Sequence, residues 1–183
     1  MQICDVIEKR YGVIRRFVEE EDASFILNLR LDNRLGRFLS PTNSDLSKQK
    51  QWINQYKNRE KKEQEFYFIF CDKQTNIQYG VNRIYNIEGS SFEVGSWLFN
   101  HNSPEGLSIL ADLSSRDYAF DVTDANFCKF DVRKENKNVV AYHKRFSPEL
   151  IGEDPLNYYF KLEKEKYRKY RNQLLKFYGT NFE

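Results

Sequence analysis

The chain has 183 residues, 29 Lys and Arg against 27 Asp and Glu, and a formal net charge of +2. That length suits one domain with a real core, and 15 Phe, 12 Tyr and 2 Trp exclude a chain that stays unfolded in water. No apolar run approaches the roughly 18 residues of a membrane-spanning helix, and the start, MQICDVIEKRYG, carries acids where a secretory signal is apolar, so a soluble cytoplasmic protein without membrane contact is expected.

Residues 11–18, YGVIRRFV, are predicted to be a strand by their β-branched and aromatic content. Two helices follow. DASFILNLR has Asp22 as its N-cap and Phe25, Ile26 and Leu29 on one side; the second runs from about Asp45 to Glu60 with Leu46, Trp52, Ile53 and Tyr56 as its apolar stripe. Pro41 and the Asn and Ser around it separate the two. Three strands, 66–72, 78–87 and 91–99, are joined by short polar connections, the pattern of an antiparallel meander. A break at NHNSPEG leads to a helix over 106–120, a strand over 127–134, a helix over 136–146 and short strands at ELIGE and NYYFKLE. A basic helix at about 163–178 ends the chain. This order predicts an α/β (α+β) fold with a mixed, largely antiparallel sheet and flanking helices, spanning 1–183 as a single domain. The Tyr-rich strand at 157–160 is expected at a sheet edge, where it could pair with a second copy as a homodimer.

Three cysteines, Cys4, Cys71 and Cys128, lie far apart, and His101 and His143 are the two histidines, which argues against a zinc or disulfide framework and for no metal. Cys128, in an apolar strand, is expected to be a buried inert thiol, and His101 to be solvated. The basic stretch from Lys161 to Tyr178 interleaves Tyr with Lys and Arg, as nucleic-acid binders do, but an amphipathic terminal helix with a solvated face explains it more simply.

The strand-to-helix passage SFEVGSWLF–NHNSPEGLSILADL carries the main chemical signal. A helix that starts with small residues at Gly106 and Ser108 leaves N–H groups open to phosphate oxygens, aided by the helix dipole; an ordinary capped helix start has the same pattern. In a helix from Asn136, residues Val139, Tyr142, His143 and Phe146 share one face, which makes His143 a core residue or a functional one.

The element order, that strand-to-helix passage and the Asn136-to-His143 spacing resemble the GCN5-related N-acetyltransferase (GNAT) superfamily, and within it the bacterial enzymes that acylate nucleotide-linked aminosugars. LRLDNRLGRFLSPT, YGVNRIYNI, FEVGSWLF and FDVRKENKNVVAYHKRF carry the likeness, from about Tyr11 to about Tyr167. The superfamily's Gln/Arg-x-x-Gly-x-Gly/Ala run is matched by Ser103-Pro104-Glu105-Gly106-Leu107-Ser108, with the leading residue and second glycine replaced.

The resemblance implies transfer of an acetyl or other short acyl group from acyl-CoA to the amine of a dTDP- or UDP-linked amino-deoxysugar, in surface polysaccharide (lipopolysaccharide) biosynthesis. A protein N-terminus or small amine as acceptor, or a non-catalytic binding module, are the alternatives. It implies that the 93–99 strand splays from the strand at 127–133 and pairs with the pantetheine arm through Trp97, Leu98 and Phe99. Gly106, Leu107 and Ser108 would surround the pyrophosphate, with Asn136 nearby. The superfamily's tyrosine acid falls at His143, with Tyr142 beside it, and a readily departing thiolate needs neither. Glu93 is the expected proton acceptor, and an exposed strand position explains it equally. Arg30 and Arg83 are expected to hold the acceptor's phosphates; an ion pair of Arg83 with a partner such as Glu93 would also account for an arginine in mid-strand.

Overall fold

The computed structural model describes residues 8–72 and 74–178. Their eight strands form one sheet, ordered β1-β2-β3-β4-β5-β6-β8-β7. β1 (Glu8–Arg10) and β2 (Val13–Phe17) make a hairpin whose two loop residues, Tyr11 (φ 57°) and Gly12 (φ 74°), are both left-handed, as a tight primed turn requires. Tyr11 and Gly12 therefore form a turn, and the expected strand shortens to 13–17. β3 (Phe66–Cys71), β4 (Gln78–Glu88) and β5 (Ser91–Phe99) continue the antiparallel order as the expected meander. β6 (Phe127–Arg133) joins β5 in parallel, and β8 (Asn157–Glu163) is antiparallel to β6. β7 (Glu149–Glu153) lies outermost against β8. The Tyr-rich strand is thus interior, and the edge expected there belongs to β7.

Helices cover both faces because alternate strand residues are apolar on each side. On one face α1 (Ala23–Leu31) and α2 (Leu46–Glu60) pack Ile26, Leu29, Ile53 and Tyr56 against Tyr67, Ile69, Val81 and Leu98. Asp45 caps α2, accepting from Ser47 N at 2.8 Å. Asp22 does not cap α1: its carboxylate takes Arg16 at 2.6 and 2.7 Å and the Glu19 amide at 2.8 Å. Leu46, expected in the apolar stripe, is exposed at the first turn of α2.

The other face carries α3 (Leu107–Val122), α4 (Lys137–Lys144) and α5 (Lys164–Tyr178) over a core that includes Phe92, Val94, Phe130, Phe146 and Tyr167. α3 buries eleven residues, polar ones among them, so it is enclosed on all sides. α5 turns part of its basic and aromatic content inward: Tyr167 OH donates to Leu113 O at 2.8 Å, and Arg171 bonds Asp117 at 2.6 Å. Among the described residues no helix is long and apolar enough to cross a membrane, and no group of His, Cys, Asp and Glu could hold a metal ion.

Candidate active site

The ladder between β5 and β6 is short. It runs from Ser91–Phe127 through Phe92–Cys128 to Glu93–Lys129 and ends there. Beyond it β6 follows β8 as far as Arg133–Asn157, while β5 follows β4 as far as Phe99–Gly80. The two parallel strands therefore part, and a cleft of about 470 Å³ opens between them. Across the other edge of β5 the register slips: Val81 faces Leu98 but Arg83 faces Gly95, so Ser96 and Trp97 together oppose Asn82. Ser96 has φ 51°, and this bulge turns its neighbourhood toward the cleft mouth.

A buried polar network forms the cleft floor. Asp112 on α3 accepts from Arg116 Nε at 2.9 Å, from Tyr142 OH at 2.8 Å and from Asn82 Nδ2 at 3.3 Å. The Asp112–Arg116 spacing of four places both on one helical face, and both are 1% exposed. Arg116 Nη1 donates to Cys128 Sγ at 2.9 Å, and the guanidinium lies 4.8 Å from the Phe130 ring centre. Burial pushes the Cys128 thiol up to about 11, so it is no nucleophile at neutral pH. Three buried atoms, Arg116 Nη2, His143 Nδ1 and Asn157 Oδ1, have no hydrogen-bond partner among the described residues, although all three side chains border the cleft. Buried polar atoms are rarely left so.

The His143 ring lies tilted against Phe130 and Trp97, with ring centres 4.4 and 6.0 Å away. Burial, then the Arg116 charge, press its pKa down to about 3, against a weaker opposing pull from Asp112. The imidazole is therefore neutral at pH 7. The Tyr142 hydroxyl is pushed well above its ordinary value by burial and by Asp112, to which it donates.

At the far end of β5 the chain reaches α3 through Gly106, whose φ of 78° suits glycine. Leu107 N donates to Pro104 O, and Ile109 and Leu110 N to Gly106 O, all at 3.1 Å. The amides of Gly106 and Ser108 are left without an acceptor among the described residues, as an anion cradle requires. Trp97 Nε1 donates to Ser108 O at 2.9 Å and ties this helix start to β5.

A second cavity of about 280 Å³ lies under α1 and α2, lined by Lys48, Trp52 and Tyr67 among others. Arg30, Arg83 and Ser96 border both cavities, so the two meet there. Arg83 is held at Nε by buried Glu65 at 2.5 Å and lies 4.9 Å from Trp52 and 4.6 Å from Tyr85. Its partner is Glu65, which also binds Arg59 at 2.6 Å, and not the expected Glu93. Arg30 is anchored by Nε to Thr42 Oγ1 at 2.6 Å. The turn that brings Thr42 within reach passes Gly36, where a Cβ would stand 1.9 Å from Arg30 O.

Of the residues expected from sequence, Arg30, Arg83, Trp97, Asn136 and His143 border the main cleft. Leu98 and Leu107 are buried core side chains, so only their backbones face a ligand. Phe99 packs on Phe70 at 5.6 Å, and Glu93 pairs across the sheet with Tyr85. His101 is exposed. Asp112, Arg116, Asp131 and the Ser96 bulge also border the cleft, and Glu65 stands behind it, all without a local motif; only the Asp112–Arg116 spacing hinted at a pair.

A family model described as an acetyltransferase (GNAT) domain matches residues 13–146. No curated protein matches significantly. Among solved structures, the chain is similar to FdhC, a nucleotide-linked sugar GNAT in its apo form, with 30% identity, a TM-score of 0.83, and 94% of this chain and 98% of that one covered. A ribosomal-protein-S5-alanine acetyltransferase from Vibrio fischeri shares the fold at 18% identity and a TM-score of 0.74, covering 89% and 99%. The spermidine N-acetyltransferase of Vibrio cholerae, in complex with CoA and spermine, does so at 17% and 0.72, covering 87% and 99%.

Proposed function

The chain belongs to the GNAT acetyltransferase family and is a CoA-dependent N-acyltransferase, and from that premise we propose that its acceptor is the amine of a nucleotide-linked amino-deoxysugar. The observation that carries this reading is the guanidinium pair where the two cavities meet. Arg30 and Arg83 each have Nε fixed by the protein, and both border both spaces. Prepaid positioning of this kind suits a diphosphate, whose oxygens take charge-assisted bonds. A polyamine, cationic throughout, would face two arginines and Lys48. A peptide N-terminus gives the pair nothing specific to bind. The 30% identity to a nucleotide-linked sugar GNAT supports the same acceptor.

Acetyl-CoA or another short acyl-CoA supplies the activated acyl group. The free edge of β5 beyond Glu93 offers backbone groups of Trp97, Leu98 and Phe99 to its amides, as for an added strand. The open amides of Gly106 and Ser108 suit its pyrophosphate, and Asn136 borders the cleft between β5 and β6. Arg116 and His143 border the inner part of this cleft, with Arg116 Nη2 and His143 Nδ1 buried and unpartnered among the described residues.

Alignment does most of the catalytic work in this reading. Backbone donors at the Ser96 bulge would stabilise the tetrahedral oxyanion. Tyr142, committed to Asp112, and neutral His143 orient the acyl end, and the thiolate departs without a charged acid. The test is thiol release from acetyl-CoA with a dTDP- or UDP-linked aminosugar, with the acylated sugar identified by mass. No acylated sugar, alongside ready acylation of spermidine or a peptide, would refute the acceptor.

A further inference from the structure

We propose that Asp131, rather than the neighbouring Glu93, receives the proton of the acceptor amine. The β5–β6 ladder ends at Glu93–Lys129, and Asp131 is the next residue of β6 on the same face as Lys129. That is the face on which Arg83 and Tyr85 of β4 lie, and Asp131 borders the cleft where the strands part. It keeps an exposed surface there, so an acceptor can reach it. Glu93 does not border the cleft and lies across the β4–β5 ladder beside Tyr85. Its own backbone amide is the only hydrogen-bond partner of Asp131 among the described residues, so no other side chain occupies its carboxylate.

The charged and titratable groups around Asp131 are Tyr85 on β4, Glu93 on β5, Arg133 on its own strand, Asp154 before β8 and Tyr159 directly across on β8. Although part of its surface is open, the cleft walls strip enough water to push its carboxyl above the usual carboxylate range; Glu93 and Asp154 add to this, and Arg133 opposes. A base raised toward the working pH is the more effective proton acceptor.

The step balances as follows. The ammonium gives one proton to an Asp131 carboxylate oxygen. Its nitrogen lone pair then bonds to the thioester carbonyl carbon, and the C–S bond breaks with its electron pair on sulfur. The second nitrogen proton passes to the thiolate, giving amide and CoA thiol, and Asp131 returns its proton to solvent.

The inference rests on acyl transfer and not on which amine is acylated, so the test uses the fastest acceptor among a nucleotide-linked aminosugar, spermidine and an alanine-led peptide. Asp131→Asn should lower kcat by roughly 10²–10⁴-fold with acetyl-CoA affinity and Tm unchanged, and Asp131→Glu should restore at least part of it. Glu93→Gln removes a negative charge beside Asp131 and should shift the acidic limb of the kcat profile to lower pH. In the free protein, the carboxyl carbon signal missing from Asp131→Asn should titrate above the ordinary range, and lower in Glu93→Gln. A normal kcat in Asp131→Asn, or an Asp131 signal that titrates in the ordinary range, overturns the assignment; neither outcome depends on which acceptor is correct.

Discussion

Replacing Asp112 by Ala would remove the only carboxylate among the described residues that is bonded to Arg116, a guanidinium that is 1% exposed. Breaking a buried pair from one side costs about 3–5 kcal/mol, because the remaining charge stays desolvated. Tyr142 and Asn82 lose the same acceptor, and since all three donors meet at one carboxylate their losses overlap and do not add. For a chain of this size each kcal/mol lowers Tm by about 2–4 °C, so a fall of roughly 6–20 °C is expected in a thermal melt. The double substitution Asp112→Leu with Arg116→Met takes out both charges at similar volume and should recover most of the loss. Acyl-CoA affinity by calorimetry should not recover, because the Arg116 guanidinium bordering the cleft is gone. An unchanged Tm in Asp112→Ala would refute the buried pair. Wild-type affinity in the double variant would show that Arg116 serves packing alone.

Ser108→Glu puts a carboxylate beside the open amides at the start of α3 and should sharply weaken acyl-CoA binding; unchanged affinity by calorimetry would remove the phosphate cradle. Arg83→Ala should raise KM for the nucleotide-sugar by about 10–150-fold, one charged hydrogen bond at about 1.5–3 kcal/mol, with KM for acyl-CoA nearly constant. His143, held at about 3 when folded, binds a proton more readily in the unfolded chain, whose ordinary value is about 6.5. Its contribution to stability is therefore complete above about pH 6.5 and is lost as pH falls toward 3, with a slope of at most about 1.4 kcal/mol per pH unit. His143→Phe should flatten that part of a denaturation-against-pH curve.

Much of the fold is legible locally. β5, β7 and β8 fall on residues whose alternation and flanking turns mark them, and α2 ends where Glu60 meets polar residues. β1 was not legible, since Glu8–Arg10 is a polar triplet that exists as a strand only through the turn at Tyr11 and Gly12. Which strand forms the edge is likewise non-local: β8 pairs with both β6 and β7, and nothing in NYYFKLE records that. At the site, the helix start at Gly106 and the buried face of α4 could be read from small residues and spacing. The partner of Arg83 could not, because Glu65 sits 18 positions away, before β3, and reaches Arg83 only through sheet register. The Asp112–Arg116 pair was hidden for another reason: α3 is enclosed on all sides, so its polar residues do not mark a solvent face.

The central claim is that Arg30 and Arg83 select an acceptor bearing a diphosphate. The most direct measurement compares kcat/KM for a nucleotide-linked aminosugar with that for the same aminosugar lacking the nucleotide. Two charged hydrogen bonds at about 1.5–3 kcal/mol each predict a preference of roughly 10²–10⁴-fold for the nucleotide-linked form. Equal efficiency for the two would contradict the account.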